Sequence, residues 1–191
     1  MADAVDLASL SLDPVQSAGR LNDGRSMPAF GIGVYPARSG GETKAAVLHA
    51  LRSGYRHVDT AEIYRNEEDV GEALAQFVAE SGVAREQIWG TTKFWPTAEK
   101  GREAVRTSLD ASLRKLRLQY VDLYLIHSPN ARGQRVAQWA GMVDAQQAGK
   151  ASQRGGDQHD CRDEGELHVR EKVHELRQHI RRRWASRGWL R

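Results

Sequence analysis

Residues 121–127 read VDLYLIH, apolar throughout except near the ends. A strand with one wet face alternates polar and apolar positions. Near-continuous hydrophobicity instead requires cover on both faces, the mark of a parallel sheet flanked by helices. The neighbouring sequence agrees. GETKAAVLHALRSG (41–54) has helical periodicity and a Gly stop, and YRHVDT (55–60) is a short strand. NEEDVGEALAQFVAESG (66–82) reads as a helix that opens on acids, as the helix dipole favours, and closes on Gly. QIWGTTK (87–93) is a strand, and residues 97–117 set Ala104, Leu109, Leu113 and Leu116 on one helical face. QRVAQWAGMVDAQQAGK (134–150) is a fourth helix, aligned on Val136, Trp139, Met142 and Val143. Ahead of these, AFGIGVY (29–35) predicts a short buried strand with close backbone approach at its end. The Asp-Gly in LNDGRSMP predicts a small hairpin. Strand–helix alternation at this spacing makes an α/β fold, either a doubly wound open sheet or a (β/α)8 barrel. Both bind ligands at the carboxyl ends of their strands.

Three such ends carry chemistry: Asp59, Lys93 and His127 close successive strands, and Tyr64 follows the first of them. Singly, each has a plainer role, as a helix cap, a core-edge tyrosine, a solvated lysine and a turn histidine. Their coincidence on successive strand ends argues against four independent plain roles. A phenol, with a pKa near ~10, is a poor acid at neutral pH unless something stabilises phenolate. A cationic Lys beside it does so, and an Asp keeps that ammonium charged and oriented despite burial. A neutral His aiming an N–H at the same point can hold a carbonyl oxygen while charge develops on it. The set protonates an alkoxide; it lacks the arrangement of a metal site or of a Ser or Cys nucleophile.

At 191 residues the chain is one ordinary domain, 40% hydrophobic, with a mean hydropathy of −0.63. One cysteine, Cys161, excludes an internal disulfide framework and fits a reducing compartment. A net charge of +3 does not call for nucleic acid. MADAVDLASLSLDPVQSAGR has neither a basic leader region nor a sustained apolar run, and no window reaches the ~18 apolar residues of a membrane span. A cytoplasmic protein with no nucleic-acid or membrane partner is the expectation.

GYRHVDTAEIYRNEEDVGEAL resembles the N-terminal signature of the aldo-keto reductases. IWGTTKFWP and YVDLYLIHSP resemble two further blocks of that family, in order and at the right spacing, and MPAFGIGVY is similar to its first barrel strand. The resemblance covers roughly residues 21–150. It implies a (β/α)8 TIM-barrel fold and NAD(P)H-dependent reduction of an aldehyde or ketone, with NADPH as cofactor and a small-molecule carbonyl compound as substrate. By the resemblance, Tyr64 is the general acid, Lys93 the cation that eases its proton release, Asp59 the partner of Lys93, and His127 the donor that orients substrate. Trp95 matches an aromatic wall of the substrate pocket, which Tyr35 shares. Gly33, Val34 and Tyr35 match backbone beside the nicotinamide ribose, with Asp59 also on the cofactor side; Val34 stands where the family usually has Thr.

The pattern then breaks. A complete barrel runs to ~250 residues, whereas ASQRGGDQHDCRDEGELHVREKVHELRQHIRRRWASRGWLR has no recognisable strand, scarce aliphatics and abundant Arg and His. The break reads as a frame change, an alternative exon or a mis-spliced transcript. The expected organisation is therefore a disordered arm over 1–20, an incomplete barrel of about four β/α units over 21–150, and a divergent basic tail over 151–191. Val169, Val173, Leu176 and Ile180 recur at helical spacing in that tail, a pattern best read as chance. His159, Asp160, Cys161 and Asp163 lack a second ligand pair, so no metal is expected. Half a barrel leaves sheet edges unpaired. It is expected to self-associate through them, and to bind NADPH weakly or not at all. The alternative to an active reductase is thus a catalytically inactive fragment or isoform of one.

Overall fold

A computed structural model describes residues 17–21, 23–129 and 131–156. The predicted arm up to residue 16, the Val169–Ile180 pattern of the tail and the His159–Asp163 group lie outside the described residues. The chain begins as the predicted hairpin, with β1 (Ala18–Arg20) antiparallel to β2 (Ser26–Pro28). Residues 18–20, expected in the arm, are a strand because their backbone groups pair with Ser26–Pro28, extended by Ala29 N–H donating to Ser17 O at 2.8 Å.

Among the described residues five parallel strands follow in sequential order: β3 (Ile32–Gly33), β4 (His57–Asp59), β5 (Trp89–Phe94), β6 (Val121–Ile126) and β7 (Ala151–Gly156). Four helices alternate with them: α1 (Glu42–Arg52), α2 (Glu67–Ser81), α3 (Arg102–Leu116) and α4 (Arg135–Gln147). Sequential order leaves no reversal point, so the choice between the two α/β architectures falls to barrel winding. Among the described residues the sheet is open, with β3 and β7 at its edges.

β7 corrects the reading of residues 151–156 as tail. ASQRGG lacks the apolar signature of a buried strand, yet it pairs along β6 from Val121–Ala151 to Ile126–Gly156, with Ala151 and Gln153 buried. The unpaired edge of β6 supplies the ladder, so strand formation here is set by the partner and not by propensity.

The two faces of the sheet are chemically distinct. Val58, Phe94, Tyr124 and Ile126 face the helices and join Val47, Leu51, Val70, Leu74, Val105, Leu109 and Met142 in the main core. On the other face, Trp89 and Leu123, with Leu125 packed beside them, meet Leu21 and Met27 of the hairpin. Period two along β5 puts Lys93 on the same face as Trp89, opposite Leu125 in register.

The helix faces differ from expectation in one respect. Val136 is 87% exposed, and the buried side of α4 is Gln138, Gly141, Met142 and Ala145. Close approach to α3 selects this face: a Cβ at Gly141 would lie 2.6 Å from Arg102 O and 2.8 Å from Val105 Cβ. Gln138 is tolerated inside because its amide donates to Lys100 O (2.7 Å) and Thr97 O (3.3 Å). Gly71 serves α2 in the same way, since a Cβ there would meet Lys115 O at 2.5 Å.

Candidate active site

β4 ends at Asp59, and the chain then makes a single 3-10 turn, Glu62–Tyr64, before α2. Arg65 leaves that turn in the left-handed region, at φ 57°, a conformation uncommon outside glycine. What holds it is Asn66. Its buried amide donates to Val34 O (3.0 Å) and Ala37 O (3.1 Å) and accepts from Thr60 Oγ1 (2.8 Å). Asn66 thus ties the β3–α1 loop and the end of β4 to the start of α2, and Tyr64 hangs from this anchored corner.

The structure brings Asp59, Tyr64, Lys93 and His127 together. Lys93 has a side chain only 2% exposed, which is costly for an ammonium unless it is fully paired. Its three protons have three acceptors: Asp59 Oδ1 at 2.6 Å, Thr60 O at 3.0 Å and Tyr64 Oη at 3.3 Å. Because Lys93 donates to the phenol oxygen, the phenol's own proton is directed away from it. His127 also reaches that hydroxyl, with Nε2 at 3.4 Å and the two rings edge to face. A Lys–Tyr–His line therefore sets an ammonium and an imidazole nitrogen on the phenol oxygen, the tautomer of His127 deciding whether the imidazole donates or accepts.

Aromatic rings frame this line. Trp95 meets His127 edge to face, with centroids 5.2 Å apart. Tyr35, 72% exposed, lies 5.0 Å from the Tyr64 ring. Gly33 ends the short β3, with open space where a Cβ would stand, and Val34 just after it is buried. The close approach expected near this strand falls at Gly31, where a Cβ would be 2.8 Å from the His57 ring.

Two elements of the site were not assigned from sequence. The Thr60 carbonyl is a backbone acceptor and carries no residue-type signal. Glu62 was visible as an acid between Asp59 and Tyr64, but its partners lie more than thirty residues away: Trp95 N–H, Lys100 and Ser108. Among the described residues no His, Cys, Asp and Glu group could hold a metal, and no helix is long and apolar enough to cross a membrane. A separate cavity of ≈ 360 Å³ lies on the outer helical surface, lined in part by Arg102, Arg106 and Lys150. Each of these cations is paired, with Asp144, Glu103 and Asp110, so the cavity offers no unbalanced charge for an anion.

The model of the Aldo/keto reductase family matches residues 33–163, past residue 150 and through β7. Rat Aldo-keto reductase family 1 member D1 is 47% identical over 113 residues, which cover 58% of this chain and 34% of the relative. The 9,11-endoperoxide prostaglandin H2 reductase of Trypanosoma cruzi is 46% identical over 112 residues, covering 59% of this chain and 38% of the relative. The crystal structure of a Bombyx mori aldo-keto reductase in complex with NADP superposes with a TM-score of 0.65 at 38% identity, covering 73% of this chain and 49% of that one. The chain spans 34%, 38% and 49% of the lengths of these three relatives. The match takes in all four converging side chains and the sequentially wound sheet that presents them, and on that ground this chain belongs to the aldo-keto reductase family.

Proposed function

We propose that this chain carries the proton-donating site of a carbonyl reductase, with Tyr64 as the general acid that converts an aldehyde or ketone to an alcohol. The observation that supports it most is the fully paired Lys93 ammonium, 3.3 Å from the Tyr64 oxygen. As a carbonyl accepts hydride, its oxygen becomes an alkoxide and needs one proton. Tyr64 supplies it, and the phenolate left behind is stabilised by Lys93, whose charge Asp59 maintains. His127, with Trp95 against it, orients the carbonyl oxygen beside the Tyr64 hydroxyl.

The solved relative is bound to NADP, and the residues present here fit the nicotinamide end of such a cofactor. Gly33 leaves room for close approach, with Val34 and Tyr35 backbone beside it. Asp59 spends Oδ1 on Lys93, and its second oxygen can accept from a ribose hydroxyl. When bound, the reduced nicotinamide supplies the hydride. The protein supplies position and the proton.

A second reading bears on affinity. Among the described residues the sheet has two open edges, β3 and β7. Open edges invite pairing with another chain, and they leave the cofactor-side strand β3 supported on one side only. We propose that the chain self-associates and holds NADPH more weakly than micromolar. Carbonyl-dependent NADPH oxidation at high nucleotide, compared with Tyr64→Phe, tests the reductase reading. Wild-type turnover that the variant abolishes supports it, and undiminished turnover in the variant overturns it.

A further inference from the structure

Glu62 opens the turn that carries Tyr64, two residues ahead of the proton donor, with its side chain 18% exposed. Its plainer role, as an acid serving its own turn, does not fit its contacts: the partners all lie on the segment from the end of β5 into α3. Oε1 accepts the backbone N–H of Trp95 and lies 3.4 Å from the Lys100 ammonium, and Oε2 accepts the Ser108 hydroxyl. Lys100 closes the loop by donating to Trp95 O at 3.0 Å, with its charge 5.2 Å from the centre of the Phe94 ring. Both backbone polar groups of Trp95 are therefore held, one by Glu62 directly and the other by the lysine that Glu62 pairs. Trp95 in turn is the ring set at 88° against His127, 5.2 Å away.

One carboxylate thus fixes the aromatic wall to the turn bearing the acid. The Tyr64 hydroxyl has its own support in Lys93, so loss of Glu62 frees the wall before it disturbs the proton donor. We propose that Glu62 is a positioning residue that sets the placement of Trp95 against His127, and with it the affinity for the carbonyl substrate, leaving proton transfer unchanged. This assignment rests on the carbonyl-reductase reading.

The test compares Glu62→Ala, Glu62→Gln and Lys100→Met in the full chain by steady-state kinetics and by hydrogen exchange at the Trp95 amide. The Ala variant is expected to raise KM for an aldehyde about tenfold with kcat within about twofold, the pattern of lost ground-state binding. Gln, which retains one acceptor oxygen, is expected to restore most of that loss. Lys100→Met, which removes the bridge to Trp95 O and the charge facing Glu62 and Phe94 but leaves Glu62 on the Trp95 N–H, is expected to fall between them and covers the case in which the Ala variant does not fold. A fall in kcat with KM unchanged, or no change in either, overturns the proposal. Hydrogen exchange separates this from the activity itself. If the wild type shows no turnover, the reductase reading fails, and the positioning role is judged on the Trp95 amide alone. Accelerated exchange in Glu62→Ala or Lys100→Met upholds it, and wild-type protection in both overturns it.

Discussion

Lys93 has no spare proton, and that fact organises the residue scale. Replacing it with Met leaves Asp59 Oδ1, Thr60 O and the Tyr64 oxygen without their shared donor. Lys93→Met is predicted to abolish turnover and to lower stability by about 1–3 kcal/mol, the usual cost of stranded buried polar groups. Denaturant unfolding measures the second effect, and an unchanged midpoint would contradict the account. The four polar residues were legible in sequence because a strand end is a place where Asp, Lys and His have no packing reason to coincide. Asn66 was less legible. Its position ahead of a helix suggests a cap, yet its side chain makes no capping bond and instead reaches the carbonyls of Val34 and Ala37. Only the fold brings those two acceptors within reach.

Elements were legible to the extent that their own pattern determined them. α2 and β6 matched their predicted spans closely because periodicity and burial coincide there. β7 was missed because ASQRGG takes its strand state from the open edge of β6. On α4, Met142 and Trp139 pack on the core as expected, but Val136, which fits the same apolar stripe, is exposed because the approach of α3 at Gly141 decides which side turns inward. Gly141→Ala is accordingly predicted to cost about 1–3 kcal/mol by overpacking, read as a lower denaturant midpoint. The same pair of helices carries an exposed clamp, in which Arg102 Nε and Nη2 donate to the Asp144 carboxylate at 2.7 and 2.6 Å. The hydrogen bond to Arg102 holds the Asp144 carboxyl below its ordinary value. A depressed folded-state value means the clamp's contribution is present above the ordinary carboxylate range and lost as pH falls through that lowered value. Asp144→Asn is therefore predicted to be less stable than wild type near neutrality and to converge with it in acid, as followed by thermal melts across pH.

At the scale of the whole molecule, the order β3-β4-β5-β6-β7 presents one side of a pocket and leaves two edges open among the described residues. NADPH titration by fluorescence is predicted to give half-saturation above the micromolar range; a micromolar dissociation constant would contradict the account of the open site. Sedimentation is predicted to show association that rises with protein concentration. Neither outcome bears on whether the acid itself is built. That claim, the central one, is tested most directly by carbonyl-dependent NADPH oxidation at saturating nucleotide in wild type and Tyr64→Phe. The account predicts turnover in the wild type and a loss of about 10²- to 10⁴-fold in the variant, the usual contribution of a positioned general acid. Equal rates in the two proteins would contradict it.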